Sequence, residues 1–288
     1  MLLHTEWVEH ESPRGNINSY LAHPAAPGIP VPGIIVVQEV WGVDQHIRDV
    51  TDRFATAGYA ALAPDLYSAG GGRPDELSFD RVEKAKTFLS SLPPDQWMSV
   101  LSDEDSRSRA CAELPGDEGP KVSETLGALF GAGPRDSGDH VAALKSAVEF
   151  LRAHQCSVGK PVGSVGYCMG GALSALLACS NAAISGAVIY YGSSPGSDEV
   201  AKLTCPVRGF YGADDPRVVS TLPAFSASLS ARGVDAELRI YPETPHAFFN
   251  DTRPTYRPAP ARDAWARTLE FFANVLDPAA TIGPEQLG

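Results

Sequence analysis

The sequence predicts an α/β protein built on a mostly parallel central sheet with helices on both faces. Three observations carry this. Short apolar runs such as Gly33-Ile34-Ile35-Val36-Val37 alternate with amphipathic helical stretches, the rhythm of strand–helix crossovers. The runs are continuous, as in strands buried on both faces. One of them, Pro161 to Tyr167, ends abruptly in Gly166-Tyr167-Cys168-Met169-Gly170, a strand-to-helix turn with glycines on both sides of a reactive side chain. At 288 residues the chain fits one large domain over 1–288, with an insert at 69–137 inside it.

Taken in order, residues 4–22 read as a β-hairpin about the turn Ser12-Pro13-Arg14-Gly15. After the strand at Gly33, Ile47, Val50, Phe54 and Ala57 recur at three- and four-residue steps, which predicts a helix closed by Gly58. Tyr59 to Ala63 is a second buried strand, ended by Pro64. Beyond Gly138 a helix places Val141, Leu144, Val148 and Leu151 on one face. The strand before Cys168 and the helix Gly170 to Cys179 come next, then strands at Ile184 to Tyr191 and Pro206 to Tyr211. Ser220 to Gly233 reads as a helix, Ala236 to Tyr241 as a strand and Ala261 to Leu276 as the last helix.

The insert breaks this rhythm. It holds Gly70-Gly71-Gly72, Pro93-Pro94 and the acidic stretch Asp103-Glu104-Asp105, with one helical pattern from Leu77 to Leu92. The remainder is too long and polar for an ordinary connection, and such segments are either lids or loose surface loops. A cap over the active site is expected.

Composition excludes several classes. Hydrophobic residues are 43% and charged residues 20% of the chain, the balance of a globular protein with a core. A formal net charge of −12 argues against nucleic acid or an anionic membrane as partner. The five cysteines show no paired spacing, the N-terminal residues show no secretory pattern, and no long apolar run is present. A cytoplasmic protein with free thiols is expected. The seven histidines lack ligand spacings and Gly70-Gly71-Gly72 lacks the Lys of a phosphate loop, so no metal and no cofactor are expected.

Acyl transfer needs a nucleophile, a base, a group to orient the base, and donors for the oxyanion. Cys168 is the candidate nucleophile, at a helix start where free N–H groups favour an anion. Gly212 to Val218 follows a strand and brings Asp214 and Asp215; Asp215 is preferred for its spacing between Gly212 and Val218. His246 follows the next strand, so nucleophile, acid and base arrive in hydrolase order. Alone, a Cys at an apolar helix start is more often a small buried hydrophobe, and a single Asp or His is more often a turn or surface residue. The three in order on the right elements outweigh those readings. Cys111, Cys156, Cys179 and Cys205 are read as structural. Glu39, a carboxylate just past a buried strand, must be paired or used.

Five blocks in order resemble the dienelactone hydrolase family of α/β-hydrolases over almost the whole chain: Gln38 to Gly42, Ala63 to Tyr67, Gly166 to Gly171, Gly212 to Val218, and His246 to Asp251. The resemblance implies the α/β-hydrolase fold, a Cys168-Asp215-His246 triad without cofactor, and an acyl-thioenzyme. It implies that Glu39 helps deprotonate the thiol when substrate binds, and that the backbone N–H groups of Val40 and Met169 form the oxyanion hole. Trp41, Tyr67, Arg73, Phe248 and Asn250 become candidate substrate contacts. Two departures stand out. The family's carboxylate-binding arginines would fall near Ala69 and at Asn250 here, with Arg73 and Arg253 nearby, and the insert is longer than the family's usual segment. The expected reaction is hydrolysis of small carboxylic esters or lactones of the carboxymethylenebutenolidase type. The alternatives are a promiscuous carboxylesterase or thioesterase, and a non-catalytic thiol sensor or binding protein on the same fold.

Overall fold

The structure is a computed structural model that describes residues 2–26, 28–131 and 137–277. The parts of the expected 69–137 insert and 1–288 domain at 132–136, 1, 27 and 278–288 lie outside the described residues.

The chain opens with a hairpin of β1 (Leu3–His10) and β2 (Ile17–Pro24), whose turn is closed by paired Ser12 and Gly15 backbone hydrogen bonds. Strand β3 (Gly33–Val37) leads through a loop to α1 (Gln45–Thr56), where the Asp44 carboxylate caps the helix by accepting the Ile47 N–H at 3.1 Å. Then come β4 (Ala60–Pro64) and the insert. The insert is helical: a 3₁₀ turn at Asp75–Leu77 precedes α2 (Phe79–Ser91), α3 (Pro94–Ser102), α4 (Glu104–Cys111) and α5 (Glu118–Phe130). Helix α6 (Ser137–Ala153) returns the chain to the sheet. The second half continues with β5 (Val162–Tyr167), α7 (Met169–Ser180), β6 (Ile184–Tyr190), α8 (Ser197–Val200), β7 (Val207–Gly212), α9 (Pro216–Val219), α10 (Leu222–Ala231), β8 (Ala236–Tyr241) and α11 (Pro258–Leu276).

The eight strands form one sheet in the order β1-β2-β4-β3-β5-β6-β7-β8. Pairing is antiparallel from β1 through β2 to β4 and parallel from there on. Alternate residues of the buried strands feed two cores. Ile35, Val37 and Leu62 pack with Leu144, Leu151, Leu173 and Leu177 of α6 and α7 on one face. Ile34, Val36 and Ala61 pack with Val50 and Phe54 of α1 and Phe272 of α11 on the other. This is the two-sided α/β arrangement that the continuous apolar runs predict.

Some elements differ from the sequence reading. The stretch Ser220 to Gly233 is only partly helical: α9 ends at Val219, and α10 begins at Leu222 with Pro223 in its first turn. The last helix starts at Pro258, three residues early, because a proline with no N–H to satisfy fits the first helical position. The insert differs most. Instead of one helix and a polar remainder, four helices share a core of Val82, Leu89, Val100, Leu126 and Leu129, and Val40 and Trp41 of the β3–α1 loop belong to the same cluster. The buried Lys86–Asp44 ion pair, 2.7 Å, ties α2 to the start of α1. No helix among the described residues is long and apolar enough to cross a membrane.

Candidate active site

The parallel register brings the C-terminal ends of β3, β5, β6, β7 and β8 together: Val37 pairs with Gly166, Tyr190 with Phe210, and Gly212 with Tyr241. That edge is where an open α/β sheet offers side chains from several loops to one point. Glu39, Cys168, Tyr191, Asp215 and His246 all come just after these strand ends.

Cys168 has φ 55° and ψ −117°, a conformation that non-glycine residues adopt rarely and at a cost. Two observations explain how it is held. The Cys168 N–H donates to the Tyr190 carbonyl at 3.0 Å, anchoring the turn to β6. Strand β5 and helix α7 also meet so closely that a Cβ on Gly166 would overlap the Gly170 carbonyl, and one on Gly170 the carbonyls of Val37 and Gln38. Only glycine fits at either place, which is the physical content of the Gly-x-Cys-x-Gly spacing. The Cys168 side chain stays partly exposed, while Cys111, Cys156, Cys179 and Cys205 are buried. Burial pushes those thiols up, Cys156 and Cys179 to about 11 and Cys205 to about 12, so they are poor nucleophiles.

His246 stands between Cys168 and Asp215. Its Nδ1 lies 2.5 Å from Asp215 Oδ2. Asp215 is buried at 4% exposure, whereas Asp214 is exposed. Burial works against charging the imidazole, but the charge of Cys168 and hydrogen bonds to Asp215 and Cys168 outweigh it and raise its pKa to about 10. The arrangement can therefore hold a proton on the ring beside a sulfur anion.

Glu39 is 3% exposed, and both its carboxylate oxygens are occupied by neutral donors. The Tyr191 hydroxyl donates to Oε1 at 3.1 Å, and the Asn250 amide donates to Oε2 at 2.8 Å. Tyr191 also stands edge-on to the His246 ring at 5.1 Å, and burial first, then the charges of Glu39, Tyr167 and Cys168, keep its phenol protonated. It takes φ 39° just past β6. Sequence reading absorbed Tyr191 into a strand; its place at the carboxyl end of a parallel strand was the available signal. Met169 opens α7 directly after Cys168, and Val40 follows Glu39 in the loop between β3 and α1.

Three expected substrate contacts are committed to partners within the protein. Phe248 is fully buried among Tyr190, Tyr191 and Tyr241, because Ala247 at φ 57° turns the chain inward after His246. Asn250 is fully buried too, with its amide on Glu39 and its oxygen accepting from the Thr252 N–H and hydroxyl. Arg73 bonds Asp65 at 2.6 Å and the Leu77 carbonyl at 3.0 Å, with its guanidinium 3.8 Å over the Phe79 ring. These contacts commit Arg73 to holding the start of the insert. Tyr67 is half-buried and donates to the Val40 carbonyl at 2.7 Å. Trp41 is buried, edge-on to Phe130 of the insert, with the Arg253 guanidinium 5.0 Å above its ring. Among the described residues, no group of three His, Cys, Asp or Glu side chains could hold a metal ion.

Comparison with known proteins identifies the family. The profile of the "Dienelactone hydrolase family" matches residues 17–276. A protein of Saccharolobus solfataricus named "Putative carboxymethylenebutenolidase" is 30% identical over 275 residues, covering 93% of this chain and 98% of its own. One of the same name from Methylorubrum extorquens is 32% identical, covering 90% and 77%. A solved structure from Klebsiella pneumoniae, described as a "Putative Dienelactone Hydrolase", superposes with a TM-score of 0.72 at 27% identity, covering 95% and 99%. With its strand order, its strained turn at Cys168 and a family match over nearly its whole length, the chain belongs to the dienelactone hydrolase family and is a hydrolase.

Proposed function

We propose that the protein hydrolyses small carboxylic esters or lactones through a Cys168 acyl-thioenzyme. The observation that carries this reading is His246, held by Asp215 on one side and facing Cys168 on the other, with a raised pKa. Cys168 attacks the carbonyl as a thiolate, and its C–S bond forms as the carbonyl π pair moves to oxygen. The N–H groups of Val40 and Met169 stabilise that oxyanion. The His246 proton passes to the leaving alkoxide, the C–O bond breaks, and the acyl-thioenzyme remains. A water then gives its proton to His246 and attacks the thioester, releasing acid and thiolate. Asp215 fixes the ring and offsets its positive charge. Glu39, held by Tyr191 and Asn250, orders the floor of the site beside the thiol.

The helices at 79–130 act as a cap, since they share a core with Val40 and Trp41. Neutral esters and lactones fit this site better than carboxylate-bearing ones: Arg73 is committed to Asp65, and an asparagine stands at position 250. A free-thiol cytoplasmic setting suits the chemistry. The test is intact mass spectrometry during turnover of p-nitrophenyl acetate. An added acetyl group on Cys168, absent in Cys168→Ala, is expected; hydrolysis by Cys168→Ala at the wild-type rate overturns the reading.

A further inference from the structure

The helical insert contains a buried charge with no counter-ion. Arg107 on α4 is only 7% exposed, and its Nε–H is sealed from water without an acceptor. Its guanidinium forms no ion pair among the described residues. The neighbouring acids make their hydrogen bonds elsewhere: Asp103, which feels the Arg107 charge without pairing with it, caps α4 by accepting the Ser106 N–H at 2.7 Å, and Glu124 accepts from Arg81 at 2.5 Å. A guanidinium cannot shed its proton to relieve this cost, as a lysine could. Burial of such a group is stable only with a partner.

Beside it, between α4 and α5, lies a cleft of about 600 Å³ whose lining includes Glu104, Arg107, Ser108, Ser123, Glu124 and Gly127. Gly127 matters because a Cβ there would stand 3.3 Å from Nη2 and crowd the guanidinium off α5. The cleft is larger than a bare ion needs and lies in the size range of small-molecule pockets. Ser108 and Ser123 add hydroxyls that can donate. None of these residues belongs to the site at Cys168.

We propose that the α4–α5 cleft is a second ligand site that binds a small oxyanion-bearing molecule through Arg107. A planar guanidinium fork meets a carboxylate or phosphate by two parallel charge-assisted hydrogen bonds. Two carboxylates oppose the anion and set its affinity: Glu104, exposed on the rim of the cleft, and Glu124, whose charge Arg81 offsets in part.

The probes are inorganic phosphate and benzoate, each titrated against sodium chloride at matched ionic strength, with thermal unfolding as the readout. Wild type and Cys168→Ala should both show a saturable rise in Tm with at least one probe. Which probe acts tells a phosphate from a carboxylate ligand. Arg107→Gln, which removes an unpaired buried charge, should fold at least as stably without anion and bind at least ~10-fold more weakly. Arg107→Lys keeps the charge without the fork and should weaken binding too. Glu104→Gln should tighten it. Ester hydrolysis without added anion should be unchanged in all three variants, so failure here is separable from failure of the reading at Cys168. An equal Tm rise in Arg107→Gln, or no rise with either probe, overturns the proposal. So does a loss of stability in Glu104→Gln, which would make Glu104 the counter-ion.

Discussion

Asn250 donates its side-chain amide to Glu39 across 2.8 Å, in a place where neither residue meets solvent. In the family's usual pattern an arginine four residues past the histidine serves the substrate; here that place holds a neutral amide. Glu39 is therefore kept by hydrogen bonds alone, from Asn250 and Tyr191. Glu39→Gln preserves shape, and the Tyr191 hydroxyl can turn to accept from the new amide. If the carboxylate helps draw the proton from Cys168, single-turnover acylation should slow by roughly tenfold or more while deacylation through His246 survives. Rapid-quench measurement of the two steps checks this, and unchanged acylation would leave Glu39 a purely structural role.

Alkylation should find one thiol first. Cys168 is the partly exposed cysteine and faces His246, whereas burial raises the other four. Limited iodoacetamide treatment and peptide mapping should place the label on Cys168 with parallel loss of esterase activity. Labelling of Cys156 or Cys111 at the same rate would contradict the assignment.

Removing the base should slow chemistry more than binding. His246→Gln deletes proton transfer to the leaving alkoxide and from the attacking water, worth roughly 10²–10⁴-fold in kcat, with KM little changed. A pH signature accompanies it. The imidazole titrates near 6.5 when unfolded and about 10 when folded, so its protonated form stabilises the fold fully below 6.5. That contribution is lost as pH rises through about 10. The urea midpoint of wild type relative to His246→Gln should fall over this window. Because the charge of Cys168 is a cause of the raised value, Cys168→Ala should lower the pKa of His246 in an NMR titration.

The Arg73–Asp65 pair should be structural. Both side chains are almost wholly buried, so Arg73→Met strands a carboxylate inside the protein and should cost about 3–5 kcal/mol. Arg73→Met with Asp65→Leu should recover much of that loss in denaturant titrations. Equal stability of wild type and the single variant would mean that Asp65 finds another partner.

The strands and the turn at Cys168 were legible because their causes are local: continuous apolar runs, and glycines where two backbones touch. The order of Asp215 and His246 on successive strands was legible for the same reason. The helices of the insert were not, since α4 carries Arg107 and Cys111 as its buried residues and its pattern makes sense only against α5. The burial of Phe248 and Asn250 was not legible, because the left-handed turn at Ala247 sends the chain after His246 into the core. A short motif fixes which residues are near a site but not which way each side chain faces. Tyr191 was hidden for the converse reason: its place at a strand end was its one sequence signal, and the register of β6 with β5 and β7 brings it to Glu39 and His246.

Substrate charge is the last quantity the geometry decides. A carboxylate entering this site would meet the negative charge of Glu39, which is buried, poorly screened and held by neutral donors, while the charge of Asp215 is balanced by His246. Of the two nearby guanidinium groups, Arg73 is held by Asp65 through Nε, though its buried Nη2 lacks a hydrogen-bond partner. Arg253 lies over Trp41, with its buried Nη1 lacking a hydrogen-bond partner. A methyl ester should therefore be turned over better than the matching lactone carboxylate, by about tenfold or more in kcat/KM, equivalent to about 1.4 kcal/mol. The penalty should shrink at high salt, because screening weakens the repulsion during approach. Arg253→Ala should leave the neutral ester unaffected while lowering whatever carboxylate turnover remains. A clear preference for the carboxylate, abolished by Arg253→Ala, would show that Arg253 takes over the role left vacant at position 250 and that this enzyme handles anionic lactones after all.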